Sequence, residues 1–172
     1  MAADPTPSQT VGPFFSFLLA DVLSELVPPD ATDAVVVRGR ILDGADEPVP
    51  DAMVEIWQAD EHGRYCLDFG WGRSGSDSEG RYSFVTRKPG RVPDGNGGLQ
   101  APHLSVLVFA RGLLKPARTR MYFPDEDANA DDRVLTAIPE ADRQRLVARP
   151  RDGALAFDVR LQGDDQTPFF VV

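Results

Sequence analysis

The segment that most constrains the fold is an apolar, β-prone run at residues 103–110, which is followed directly by Arg111. A run of this kind predicts a central strand that is buried on both faces. Side chains two positions apart in a strand point the same way, so His103 and Ser105 are predicted to share one face. The same alternation places Arg111 on that face at the far end. Two histidines at such positions could converge on a metal ion, but here the second position is Ser105.

Turn-forming residues punctuate the rest of the chain. It contains 15 Pro and 15 Gly among 172 residues, which favours an all-β architecture with many turns. Residues 63–80 hold five glycines and are predicted to form a long functional loop. Residues 139–148 suit a short helix. Strands are predicted at residues 34–42, 53–58, 81–86, 103–110, 119–123 and 156–162. Short strands separated by turns predict a β-sandwich.

The chain is predicted to be a single domain of residues 1–172, with an extended arm and lead-in at residues 1–33 and the β-sandwich core at 34–172. Pro5, Pro7 and Pro13 prevent regular pairing within a sheet near the N-terminus. Residues 14–26 suit either a short helix or a docked loop. The acidic residues 124–132 are predicted to form a solvated loop.

The charge balance limits the kinds of molecule that this chain is expected to bind. Lys+Arg 18 against Asp+Glu 27 gives a net charge of −9, which disfavours nucleic acid and anionic membranes. A small anion can still bind, because one well-placed arginine can hold a carboxylate against the global field. The single cysteine, Cys66, cannot form an internal disulfide. With no signal-peptide pattern and no apolar run of transmembrane length, this predicts a cytoplasmic protein.

Four stretches, taken in order along the chain, resemble one known family. They are residues 7–13 (PSQTVGP), 54–60 (VEIWQAD), 77–84 (DSEGRYSF) and 101–112, which contains Ala-Pro-His and Phe-Ala-Arg-Gly. Each motif is weak by itself. Their common order and spacing over most of the chain resemble the intradiol ring-cleaving dioxygenases.

The resemblance implies a β-sandwich and a non-haem ferric iron held by two tyrosinates and two histidines. Matched position by position, Tyr65 and His103 retain one ligand of each kind. The second tyrosine falls at Val92 and the second histidine at Ser105. We call these four positions the vestigial site. Valine has no donor atom and a serine hydroxyl is a poor substitute for imidazole, so the chain is expected to bind no metal by itself.

A chain that has lost two of the four ligands resembles the iron-free member of a pair of homologous subunits. The resemblance implies that an iron-bearing beta subunit joins this chain in an alpha–beta protomer of a larger oligomer, and that the pair cleaves protocatechuate with O₂ to 3-carboxy-cis,cis-muconate. Thr10, Gly12, Pro13 and Arg111 match residues that line the substrate pocket. The forked guanidinium of Arg111 also suits a substrate carboxylate on physical grounds.

Less specific interpretations stand beside these. His103 in an apolar strand is more often a satisfied core histidine than a ligand. Tyr65 either hydrogen-bonds to His103 or lies at the surface of the glycine-rich loop. Arg111 either lines a pocket or pairs with Asp125 and Glu126. Two other functions stay open: a transthyretin-like β-sandwich that binds a small molecule without chemistry, and an intradiol enzyme with an unusual ligand set.

Overall fold

A computed structural model describes residues 23–171 of the chain. The predicted arm, with Thr10, Gly12 and Pro13, lies outside the described residues, as does most of the 14–26 segment. The strands are β1 (Ala34–Leu42), β2 (Met53–Trp57), β3 (Trp71–Gly75), β4 (Arg81–Arg87), β5 (His103–Phe109), β6 (Ala117–Tyr122), β7 (Arg149–Arg151), β8 (Ala154–Ala156) and β9 (Val159–Arg160). A 3₁₀ helix spans Asp127–Ala130, and two short helices follow, α1 (Arg133–Thr136) and α2 (Glu140–Arg143).

The strands form two sheets, as the sequence predicts for an all-β sandwich with one or two short helices. One sheet has the order β4-β1-β8-β7, with β9 also pairing with β1, and the other has the order β3-β2-β5-β6. Their facing sides enclose one apolar core, which includes Val37, Ile41, Val54, Ile56, Phe84, Leu104, Val106, Val108 and Met121. The boundary between lead-in and core at residue 34 stays a prediction, although β1 does begin at Ala34.

Gly39 shows how closely the backbone packs in the first sheet. A Cβ at this position would lie 1.8 Å from the carbonyl oxygen of Phe157. The hydroxyl of Tyr82 donates to that same oxygen over 2.6 Å. Only glycine leaves room for this contact, so residue 39 fixes how β1 packs against the chain after β8.

Three predicted elements differ from the structure. The glycine-rich segment 63–80 contains strand β3. Its buried position 72 is a glycine packed against the side chain of Leu26, so the sequence shows no apolar residue there. The strand predicted at 156–162 breaks at Phe157–Asp158, where the Asp158 carboxylate accepts the N–H of Arg40 over 2.9 Å. The helix predicted at 139–148 is only the four-residue α2.

Strand β5 is central but not buried on both faces. Leu104, Val106 and Val108 are 0–2% exposed on the core side. On the outer side His103 is buried, whereas Ser105, Leu107 and Phe109 are only half-buried. Among residues 23–171, the outer face is covered at its His103 end by a second apolar cluster built from Ala101, Tyr122, Leu135 and Leu146. The expectation of burial on both faces is therefore wrong beyond His103.

Residues 23–26 form a strap across one side of the sandwich. The N–H of Arg73 in β3 donates to the carbonyl of Leu23 over 2.8 Å. The N–H of Val85 in β4 donates to the carbonyl of Ser24, also over 2.8 Å. The strap thus joins an edge strand of each sheet. At another edge, β7 consists of Arg149, Pro150 and Arg151, all exposed.

Within residues 23–171, no helix has the length and apolar character needed to cross a lipid bilayer.

Candidate functional site

His103 opens β5 on the outer face of the four-stranded sheet and is only 4% exposed. Its Nδ1 lies 2.8 Å from the carbonyl oxygen of Ala101. A carbonyl oxygen can only accept, so Nδ1 carries a proton and donates it to this oxygen. Burial, assisted by the charge of Arg120, lowers the pKa of His103 to about 4. The burial of His103 and its Nδ1 hydrogen bond fit the interpretation of a core histidine, and its role as a former ligand position stays a prediction.

The other positions of the vestigial site differ in burial and in their contacts. Ser105 shares the outer face with His103, as the alternation predicts. Val92 is 5% exposed, and its carbonyl accepts the N–H of Gln100 over 2.8 Å, which ties its loop to the start of β5. Tyr65 is 56% exposed. With this exposure Tyr65 can lie at the surface or contact His103, so its approach to His103 stays a prediction.

A tight turn holds the chain just before Tyr65. The Asp60 carboxylate accepts the N–H groups of His62 over 2.9 Å and Arg64 over 2.8 Å. Gly63 sits in this turn with φ +76°, where a Cβ would lie 1.9 Å from the carbonyl oxygen of Arg91. Glycine is needed here for both reasons. The turn therefore docks against the residue that precedes Val92.

Arg120 is the residue at this site that the motif comparison did not bring out. It lies on β6 directly opposite Ser105. Its Nη1 donates to Gln100 Oε1 over 2.7 Å and to the hydroxyl of Tyr122 over 3.3 Å. The charge of Arg120 also acts on Tyr65, where it opposes the upward effect of burial on the pKa. The order of strands was the only available signal, since consecutive strands often pair.

Asp132 completes the network beneath Arg120. This carboxylate is fully buried and caps the N-terminus of α1. It accepts hydrogen bonds from the N–H groups of Ala101 (2.7 Å), Val134 (2.9 Å) and Leu135 (2.8 Å), and from the hydroxyl of Tyr122 (3.2 Å). The prediction of a solvated loop at 124–132 is wrong at its last residue, because four donors replace the water that this carboxylate would otherwise need.

Arg111 lies at the other end of β5, two residues beyond the end of the strand. The chain turns there, so strand alternation does not place Arg111 on the face of His103. Its side chain is 57% exposed and 3.9 Å from the carboxylate of Asp51. Asp125 and Glu126, the alternative partners, instead pair with Lys88 at 3.2 and 3.1 Å.

The exposed guanidinium of Arg111 borders a cavity of about 650 Å³. The cavity walls come from the turns at 43–45 and 110–113 and from residues 161–163. Such a space can admit an aromatic ring, and Arg111 offers it a forked cation.

The donors present do not fit an iron ion. Val92 supplies no donor atom, and the described residues contain no cluster of three or more His, Cys, Asp or Glu side chains arranged to hold a metal. His103 offers only its Nε2, with Nδ1 already committed to Ala101. A fixed cation, Arg120, stands opposite Ser105.

Comparison with known proteins identifies the family of this chain. A family model described as Dioxygenase matches residues 21–163. The chain is 38% identical to the protocatechuate 3,4-dioxygenase alpha chain of Burkholderia cepacia, over 97% of each chain. This chain belongs to the intradiol dioxygenase family. Members of the family are iron-dependent oxidoreductases, so the sequence resemblance and its implied class of enzyme are confirmed.

The alpha-chain and beta-chain relatives differ in how much of each sequence the match covers. The beta chain from Burkholderia cepacia is 37% identical, but the match spans only 79% of this chain and 67% of that one. The fold also matches the dioxygenase domain of a carbohydrate-binding fusion protein from Streptomyces sp. SirexAA-E, with a TM-score of 0.65 and 26% identity over 93% of this chain and 99% of that one. The transthyretin-like alternative receives no support from these matches.

Proposed function

We propose that this chain is the alpha subunit of a protocatechuate 3,4-dioxygenase and that its iron lies on a homologous beta subunit. The observation that carries the proposal is full-length similarity to an alpha chain combined with a vestigial site in which Val92 and Ser105 replace two of the four ligands. The reaction breaks the ring bond between the two hydroxylated carbons of protocatechuate. Both atoms of O₂ enter the product, 3-carboxy-cis,cis-muconate.

In this proposal the redox chemistry belongs to the partner: the iron it would hold would supply catecholate binding and activation toward dioxygen. This chain supplies pocket wall and recognition. Thr10, Gly12 and Pro13 would border the substrate, offering a hydroxyl and backbone polar groups without bulk. Arg111 would pair with the substrate carboxylate, for which its exposure and its weak 3.9 Å contact with Asp51 leave it available.

The proposed location is the cytoplasm. Cys66 is an exposed free thiol. Such a thiol persists most readily in a reducing compartment.

Co-expression with a homologous beta subunit tests the proposal. The complex is expected to take up O₂ with protocatechuate and to form 3-carboxy-cis,cis-muconate, whereas the isolated chain is colourless, inactive and free of stoichiometric iron. Elemental analysis that finds about one iron per isolated chain, with a visible charge-transfer band, would support an enzyme with an unusual ligand set instead. A colourless chain that stays inactive and unassociated after co-expression would support a simple binding protein.

A further inference from the structure

The vestigial site differs from an iron site by more than its missing donors. Arg120 lies directly opposite Ser105, so both side chains project from the same outer face of neighbouring strands. Opposed residues of an antiparallel pair have Cβ atoms about 5 Å apart. A metal ion held between positions 103 and 105 would therefore lie beside the Arg120 side chain.

Hydrogen bonds hold the guanidinium of Arg120 in one position. Nη1 donates to Gln100 over 2.7 Å and to Tyr122 over 3.3 Å, and the guanidinium lies 5.9 Å from the centre of the Phe170 ring. Tyr122 is itself fixed by the buried Asp132. Moving Arg120 aside would break contacts to two separate parts of the chain, the loop before β5 and the end of β6.

The sign of the interaction with iron follows from the formal charges. A guanidinium attracts each of two tyrosinates but repels a trivalent cation, and at comparable distances the three charges of the metal outweigh the two of its ligands. The repulsion is screened little in a partly buried site.

We propose that Arg120 is the permanent cation of the vestigial site and keeps iron out of it, so that restoring the lost ligands alone does not restore metal binding. The inference rests on the proposed function only for the identity of positions 92 and 105 as ligand positions. It concerns the chain by itself, whereas the proposed function concerns turnover by the assembled pair, so the two fail in different experiments.

The test compares full-length chains that carry the restored ligands Val92→Tyr and Ser105→His. One chain keeps Arg120, one adds Arg120→Gln, and one adds Arg120→Lys, which retains the charge. A fourth adds Arg118→Gln, an exposed arginine two residues earlier on the same strand and face. Each chain is loaded with the same concentration of iron, and metal content and the visible ferric-tyrosinate band are measured. Near-ultraviolet circular dichroism establishes that each chain is folded.

We expect the Arg120→Gln chain to bind iron at least tenfold more tightly than the chain that keeps Arg120, the Arg120→Lys chain and the Arg118→Gln chain. Stoichiometric iron in the chain that keeps Arg120 would overturn the proposal. Equal uptake by the Arg120→Gln and Arg120→Lys chains would also overturn it, since charge would then not matter. Folded chains that all lack iron would count against it too. If Arg120→Gln prevents folding, Arg120→Met, which is neutral and unbranched, replaces it in the same comparison.

Discussion

The buried carboxylate of Asp132 accepts a 2.7 Å hydrogen bond from the N–H of Ala101, two residues before His103. This contact joins the start of β5 to the cap of α1. Asp132 therefore connects the strand that carries the vestigial site to the helical segment that covers it.

Replacing Asp132 with alanine is expected to lower the free energy of unfolding by about 3 kcal/mol, because a helix cap is lost and buried N–H groups are left without a partner. Asp131→Ala is the matched control, since the neighbouring side chain is exposed and its loss should cost less than about 0.5 kcal/mol. Urea unfolding of the two variants checks this. Similar losses for both would show that the Asp132 network contributes little.

Gly39→Ala is expected to destabilise the fold by about 1–3 kcal/mol, because the added Cβ meets the backbone of Phe157. Gly75→Ala is the control in β3, where a Cβ meets no atom of the described residues within 4 Å. Thermal unfolding should separate the two variants clearly. Equal melting temperatures would mean that β1 can shift away from Phe157 at little cost.

His103 should make stability depend on pH. Its pKa is about 4 in the folded chain, below the ordinary value of 6.5, so between these pH values the unfolded chain binds a proton that the folded chain does not. The free energy of unfolding therefore falls as the pH drops from 6.5 to 4, by up to about 3 kcal/mol. His103→Gln should remove this component, whereas His62→Gln, at an exposed position, should leave it. An unchanged pH profile for His103→Gln would contradict the prediction.

Arg111→Ala in the assembled enzyme is expected to reduce kcat/KM for protocatechuate by one to two decades, since a charge-assisted contact is worth about 1.5–3 kcal/mol. Catechol, which lacks the carboxylate, should be affected far less. Arg118→Ala controls for the loss of an exposed arginine elsewhere. Equal effects on both substrates would exclude carboxylate recognition, and failure to assemble would make Arg111 an interface residue.

Thr10→Val should lower kcat/KM of the assembled enzyme by roughly 3- to 10-fold, as expected for the loss of one neutral hydrogen bond of about 0.5–1.5 kcal/mol without a change in shape. Thr6→Val makes the same replacement earlier in the arm. Steady-state oxygen uptake distinguishes the two. If Thr6→Val has the larger effect, the assignment of Thr10 to the pocket is wrong.

The sequence predicted the parts of the fold that depend on local periodicity. The shared face of His103 and Ser105 follows from strand alternation, and β1, β2 and β4 follow from apolar runs bounded by turns. Strand β3 was missed because its buried residue Gly72 gives no apolar signal. The side chain of Leu26 fills the space that a side chain at position 72 would occupy. That relationship exists only after the chain has folded.

The candidate site was predictable only where it depends on residue identity. Val92 and Ser105 show the loss of donors directly from the sequence. Arg120 reaches the site because β6 pairs with β5 in one register, and that register is set by packing across both strands. Asp132 sits in a strongly acidic stretch, so its burial could not be separated from the exposure of its neighbours without knowing which N–H groups it meets.

The strap at residues 23–26 bears on how this chain can associate with others. It occupies hydrogen-bonding positions on β3 and β4, while the chain at 146–148 bonds alongside the end of β6. On β7, Pro150 lacks an N–H and stands between two exposed arginines, features that discourage another strand from adding. Lateral growth of either sheet is thus hindered, which disfavours fibrous aggregation. Among residues 23–171, the outer faces and the loops are less obstructed than these edges.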